Sequence, residues 1–238
     1  MPGMSEVLSH WDNRGMLGIM SDDGVGLDGR RLRTRRSREA LSRAAFDLLT
    51  ERGLDAVAVE DIALRAGVTR RTFSRHFASI EEAILGDVDQ DVHLFNEALC
   101  RRPRSEPPLI AYRGAVHDWL ATEYGGARAS LLARRWALFQ RFEDEPELFA
   151  GYQRIRIEGQ RESVRIIAAR LGVDPQTDPR PAVAVGAGAG MLLAALQSWA
   201  AGPDPMGLPG LVEEFFDTLV TLTAEFRNEE SPSCLPGR

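Results

Sequence analysis

Ala66-Gly67-Val68-Thr69-Arg70-Arg71-Thr72-Phe73-Ser74-Arg75-His76-Phe77 is the stretch on which the reading of this chain turns. Gly67 supplies the positive φ of a tight helix-to-helix turn, and Thr69 is the N-cap of the second helix of that pair. Phe73 and Phe77 stand four apart, so a helix ending near Phe77 buries both and turns Arg70, Arg71, Ser74 and Arg75 outward. Before the turn, a short helix from about Val59 to Ala66 brings Ile62 to the local core and the small Ala63 to a close crossing. Val68 fills the angle between the two helices. Ser79, with Glu82 three residues on, is a capping box that opens a fourth helix expected to reach about Leu99.

Outward from this stretch, apolar spacings of three and four recur and strand alternation is almost absent, so the fold is read as all-α. The first helix is expected from about Thr34 to Arg52, with Gly53 ending it. After a linker at Pro103 to Pro108, helices are expected near Leu109 to Tyr124, Arg128 to Phe142, Pro146 to Leu171, Ala182 to Ala201 and Pro209 to Phe226, about nine in all. This divides the chain into a disordered arm (1–29), a three-helix N-terminal helix-turn-helix domain (30–80), a C-terminal helical ligand-binding and dimerisation domain (81–227) and a disordered tail (228–238). Met20-Ser21-Asp22-Asp23 is read as an alternative start of translation, which puts residues 1–19 in question.

Charge distribution points to a partner. The net charge is −6, yet residues 30–80 hold twelve arginines against six acids, a local +6 in an acidic protein. All 29 cationic side chains are arginine. A basic module on an acidic body fits double-stranded DNA bound at one end. A helix fits the major groove, and arginine bonds a guanine edge through two atoms, so Arg70 and Arg71 are the candidate base readers. Arg36, Thr69, Thr72, Ser74, Arg75 and His76 are the candidate backbone contacts.

Gly53 to Asp87, with Val59-Glu60-Asp61-Ile62-Ala63, Ala66 to Phe73 and His76-Phe77, resembles the DNA-binding signature of the TetR family. The resemblance implies a transcriptional repressor that occupies a palindromic operator as a homodimer and leaves it when a small molecule enters the C-terminal domain. Three positions depart from the pattern. Ala58 stands where a threonine often caps the second helix, Ser74 replaces a frequent aromatic, and Ile80 takes the place of a frequent phosphate-binding lysine. Backbone affinity is therefore expected to lean on the arginine cluster from Arg30 to Arg38, lying along or in the minor groove.

Gly186 and Gly190 are one helical turn apart and offer a small face to another helix. With Leu193 and with Leu211, Phe215, Leu219 and Leu222 of the last helix, they are the expected dimer interface, half of a four-helix bundle. Trp119, Arg135, Trp136, Phe139, Gln140, Phe149 and Tyr152 are the candidate ligand pocket, with Arg135, Gln140 or Arg141 for an anionic group. The segment Arg134-Arg135-Trp136-Ala137-Leu138-Phe139 resembles regulators of the mycofactocin type, which implies an acyl-CoA-like ligand; the effector expected is small and apolar, or of acyl type.

Other readings are weaker. Asp87-Val88-Asp89-Gln90-Asp91 mimics the start of a calcium loop, but Val92 replaces the required glycine and Ala98 the closing glutamate, so it is read as a helix face. His93 and His117 lack ligand-spaced partners, Cys100 and Cys234 form no paired spacing, and no catalytic constellation emerges, so no metal, cofactor or catalytic residue is expected. The uncharged run from Pro181 to Pro203 reaches spanning length but is rich in Ala and Gly and lacks flanking arginine clusters, so it is read as a buried helix of a cytoplasmic protein. Two alternatives stay open at this point: a dimeric DNA-binding regulator without a small-molecule effector, and a small-molecule enzyme or carrier.

Overall fold

The computed structural model describes residues 23–126 and 129–229, whose regular structure is helical throughout. The helices are α1 (Asp23–Arg52), α2 (Val59–Arg65), α3 (Arg70–His76), α4 (Ile80–Ile84), α5 (Gly86–Arg101), α6 (Pro108–Tyr124), α7 (Ala129–Gln140), α8 (Pro146–Leu171), α9 (Arg180–Ala201) and α10 (Leu208–Glu229). Proline in the first turn of α6, α8 and α9 costs nothing, because the N–H it lacks has no helical acceptor there.

Two boundaries differ from expectation. The first helix starts at Asp23 rather than Thr34, so residues 23–29, expected in a disordered arm, are helical. A nucleated helix extends at little cost per residue. Residues 1–22 and 230–238 lie outside the described part, while α10 runs two residues into the expected tail. The single helix expected from Ser79 to Leu99 is broken at Leu85 (φ −85°, ψ 2°) into α4 and α5, giving ten helices among the described residues instead of nine. The break lies where α1 presses closest: a Cβ on Gly86 would sit 2.2 Å from the Ser42 hydroxyl oxygen and 3.2 Å from the Phe77 ring.

Leu41, Leu48 and Leu49 of α1 form the N-terminal core with Ile62, Phe73 and Phe77, and α1 also packs on α4 and α5. Helix α9 is the centre of the larger part, touching α6, α7, α8 and α10, with Val185, Ala195 and Trp199 sealed inside. It is long and apolar enough, by length and composition, to cross a membrane, with a mean hydropathy of 1.5. Its packing on four helices accounts for that composition on the inner side, since a helix apolar all round is normal at the centre of a bundle.

Candidate functional site

The outer face of α3 is set by what its inner face buries. The Thr69 hydroxyl accepts from the Thr72 N–H at 3.2 Å and lies 3.1 Å from the Thr72 hydroxyl, which caps the helix. Gly67 has a φ of +68°, and the Val68 N–H donates back to the Ala63 carbonyl at 2.9 Å. Phe73 and Phe77 are buried with ring centroids 5.9 Å apart. Arg70, Arg71, Ser74 and Arg75 are consequently exposed, as the four-residue spacing requires. Arg71 and Arg75 form no ion pair among the described residues, whereas Arg70 is held by Glu60 of α2 at 2.7 Å. A pair this exposed contributes about 1 kcal/mol or less, so a phosphate or a base edge can replace the glutamate.

Two candidates face the other way. His76 is half-buried, and its Nε2 is shielded without a hydrogen-bond partner, so in this conformation that nitrogen does not reach a phosphate. Burial, then the charges of Arg75 and Arg38, push its pKa down, which keeps it neutral. Arg38, grouped with the groove-lying cluster, is turned inward instead: it donates to the His76 carbonyl at 3.0 Å and to Asp89 of α5 at 3.1 Å, with its guanidinium 4.5 Å from the Phe77 ring. Arg36 is exposed on α1, and Arg35 pairs with Glu39 at 2.7 Å. Ala58 leaves α2 without a side-chain cap, and Ile80 packs on the core.

Helices α5 to α9, with Leu208 of α10, line a half-open cavity of about 100 Å³. Of the pocket candidates, Trp119, Arg135, Phe139 and Tyr152 line it. Trp136, Gln140 and Phe149 do not. The Trp136 indole donates to the Trp199 carbonyl at 3.1 Å, and Gln140 and Phe149 line an adjoining pocket that shares Phe139, Tyr152 and Leu193 with the cavity. Arg141 is spent on the Thr50 carbonyl. Arg135 is engaged as well: it donates to Asp91 at 2.5 Å and to the Tyr124 hydroxyl at 3.2 Å, and that hydroxyl donates to Asp91 at 2.6 Å. Burial opposes the Arg135 charge, but Asp91, Tyr124 and Asp87 outweigh it and raise its pKa, while burial pushes the Asp91 carboxyl up against the pull of Arg135 and Tyr124.

This cluster is also a partition. Asp91, Tyr124 and Arg135 line the cavity on one side and, on the other, a polar cleft walled by Arg35, Glu39 and Arg43 of α1. The neighbouring Arg134 crosses to α1: it donates to the carbonyls of Ser42 (3.3 Å) and Arg43 (3.1 Å), with its guanidinium 4.4 Å from the Phe46 ring. The acidic run of α5 thus serves two arginines, Asp89 holding Arg38 of α1 and Asp91 holding Arg135 of α7.

Residues 41–84 match the model of bacterial regulatory proteins of the tetR family, and residues 106–224 match that of the MftR C-terminal domain. The HTH-type transcriptional regulator TcmR of Streptomyces glaucescens is 39% identical over 160 residues, which cover 67% of this chain and 70% of that protein. The chain belongs to the tetR family of transcriptional regulators. Solved structures similar to it include a transcriptional regulator of Rhodococcus sp. (23% identity, TM-score 0.43, 78% of this chain and 94% of that one). Another is the TetR-family repressor FadR of Thermus thermophilus in complex with lauroyl-CoA (19% identity, TM-score 0.48, 84% of this chain and 100% of that one).

In tetR-family terms, the first match spans the helix-turn-helix and the second the α6 to α9 walls of the cavity and most of α10, with α5 between the two matches. Gly186 and Gly190 face open space, with nothing within 4 Å of an added Cβ. Leu222 is exposed, and Leu193, Leu211, Phe215 and Leu219 are half-buried. Val183 and Val220, which the pattern of the sequence did not single out, are exposed on the same two helices. Cavity residues that were missed include Asp91, Tyr112, Tyr124 and Arg156. Asp91 carried a signal, an acidic run without a purpose, whereas nothing local marks the others.

Proposed function

We propose that this regulator is a cytoplasmic repressor that binds a palindromic operator as a homodimer and is released by a small apolar or acyl-type effector. The observation that carries the DNA-binding part is the outer face of α3, where Arg71 and Arg75 stand exposed and unpaired opposite a fully buried phenylalanine pair. Arg70 and Arg71 read base edges in the major groove; Arg36, Thr69, Thr72, Ser74 and Arg75 meet the backbone. The apolar faces of α9 and α10, through Gly186, Gly190, Leu193, Leu211, Phe215, Leu219 and Leu222, join two copies and set the half-site spacing.

Release is supported by two consecutive residues of α7. Arg135 belongs to the cavity wall and Arg134 to the carbonyls of α1, so a ligand that shifts the first displaces the second. Arg38 then carries the movement to the end of α3. The same face of α3 serves a dimer with no effector equally well, so ligand dependence needs its own measurement. A gel-shift titration on the DNA upstream of the gene tests the proposal. One dyad-symmetric site bound by two copies is the expected result, and binding indifferent to sequence would overturn it.

A further inference from the structure

The cavity wall carries hydrogen-bond donors that the protein leaves unused. Tyr112 of α6 and Tyr152 of α8 are 3% and 6% exposed, yet neither hydroxyl has a hydrogen-bond partner among the described residues. Both hydroxyls open on the cavity, so each can donate to an acceptor that enters it. Arg156 of α8 lines the same cavity, half-buried. Its Nε donates to the Gln153 side-chain oxygen at 2.8 Å, and no carboxylate among the described residues pairs with it. The contrast with Arg135, neutralised by Asp91, is direct.

The three groups converge. The Arg156 charge bears on both tyrosines, and the Tyr152 hydroxyl bears on Tyr112. Burial pushes the Tyr152 hydroxyl up to about 12 and that of Tyr112 higher still, so both remain O–H donors at neutral pH. A cation and two neutral donors without an acceptor among them form a receptor for an anion. The rest of the wall is mostly apolar, with Phe95, Phe139 and Trp119 prominent, beside the Asp91–Tyr124–Arg135 cluster, Gln160 and Ser163. The cavity is about 100 Å³ and open on one side, which suits a ligand with a small apolar body.

We propose that the effector is a small organic acid, one ring or a short chain bearing one carboxylate, whose head is held by Arg156, Tyr112 and Tyr152. This rests on the ligand-released reading above and narrows it. The apolar body lies against Phe95, Phe139 and Trp119. Arg135 cannot serve the acid, because Asp91 already occupies it.

Calorimetric titration of the full chain with benzoate and hexanoate, against benzamide and hexanamide, tests this. The acids should bind at least about tenfold tighter than the amides, the usual worth of a charge-assisted hydrogen bond. Arg156→Gln should bring the acids down to the level of the amides, Arg156→Lys should recover part of the loss, and Tyr152→Phe should cost several-fold. Unchanged thermal melting of the variants shows that they fold. Amides binding as well as acids, Arg156→Gln losing nothing, or no acid binding at all would each overturn the proposal. A gel shift on the same samples separates the two readings. Operator binding without acid binding rejects only the acid, and loss of operator specificity rejects the regulator reading whatever the acids do.

Discussion

Two arginine–carboxylate pairs of similar length lie at opposite ends of this molecule. Arg70 and Glu60 meet at 2.7 Å with side chains 72% and 60% exposed; Arg135 and Asp91 meet at 2.5 Å with side chains 11% and 15% exposed. Water screens the first, so its members are nearly free to change partners. The second has given up its hydration, and each member is now the other's only adequate counter-charge. The same bond is therefore a reserve on the outer face of α3 and a fixture at the cavity.

Removing one acid from each pair tests that contrast most severely. Asp91→Ala strands Arg135 in the interior and should cost about 3 to 5 kcal/mol of unfolding free energy, while Glu60→Ala should cost about 1 or less. Denaturant titration measures both, and similar losses would break the comparison. Next in size is Arg71→Ala, which should lower operator discrimination by about 1 to 3 kcal/mol at one base pair without altering stability. A uniform loss over all sequences would move Arg71 to the phosphates. Glu60→Gln frees Arg70 and should raise operator affinity by up to about fivefold, the equivalent of a surface pair. Unaltered affinity would remove Arg70 from the contact.

The smallest effect concerns pH. The folded pKa of His76 lies below its unfolded value, so the unfolded chain binds the proton more readily. The stability His76 contributes is therefore present above about pH 6.5 and is lost as pH falls toward its lower folded pKa. His76→Gln should flatten the stability profile over that window; coincident profiles would show that the shielded Nε2 carries no cost.

The two ends also differ in how far the sequence disclosed them. In α3 everything needed is local: the cap at Thr69, the positive φ at Gly67 and the four-residue spacing of Phe73 and Phe77 lie within a dozen positions. The cavity depends on meetings the chain arranges at a distance. Arg135 was legible as a pocket arginine, but its commitment to Asp91, 44 residues earlier, was not. Arg156 drew no notice because a helix as rich in arginine as α8 offers no reason to choose one. Trp136 and Gln140 share a helix with Arg135 yet turn toward the end of α9, an orientation that aromatic content does not reveal. The break at Leu85 comes from the pressure of α1 on Gly86, which no capping rule anticipates. His76 lies on the capped helix as expected, but its ring is half-buried with Nε2 shielded, which the sequence pattern does not reveal.

The glycine run of α9 divides its labour between two audiences. Gly186 and Gly190 look outward and would admit a methyl group unopposed, whereas a methyl on Gly188 would land 2.5 Å from the Tyr112 ring. The isolated subunit thus polices only the middle letter of that run. The outer two are free to drift until a second copy objects, so changes there would be silent in folding and audible only in assembly.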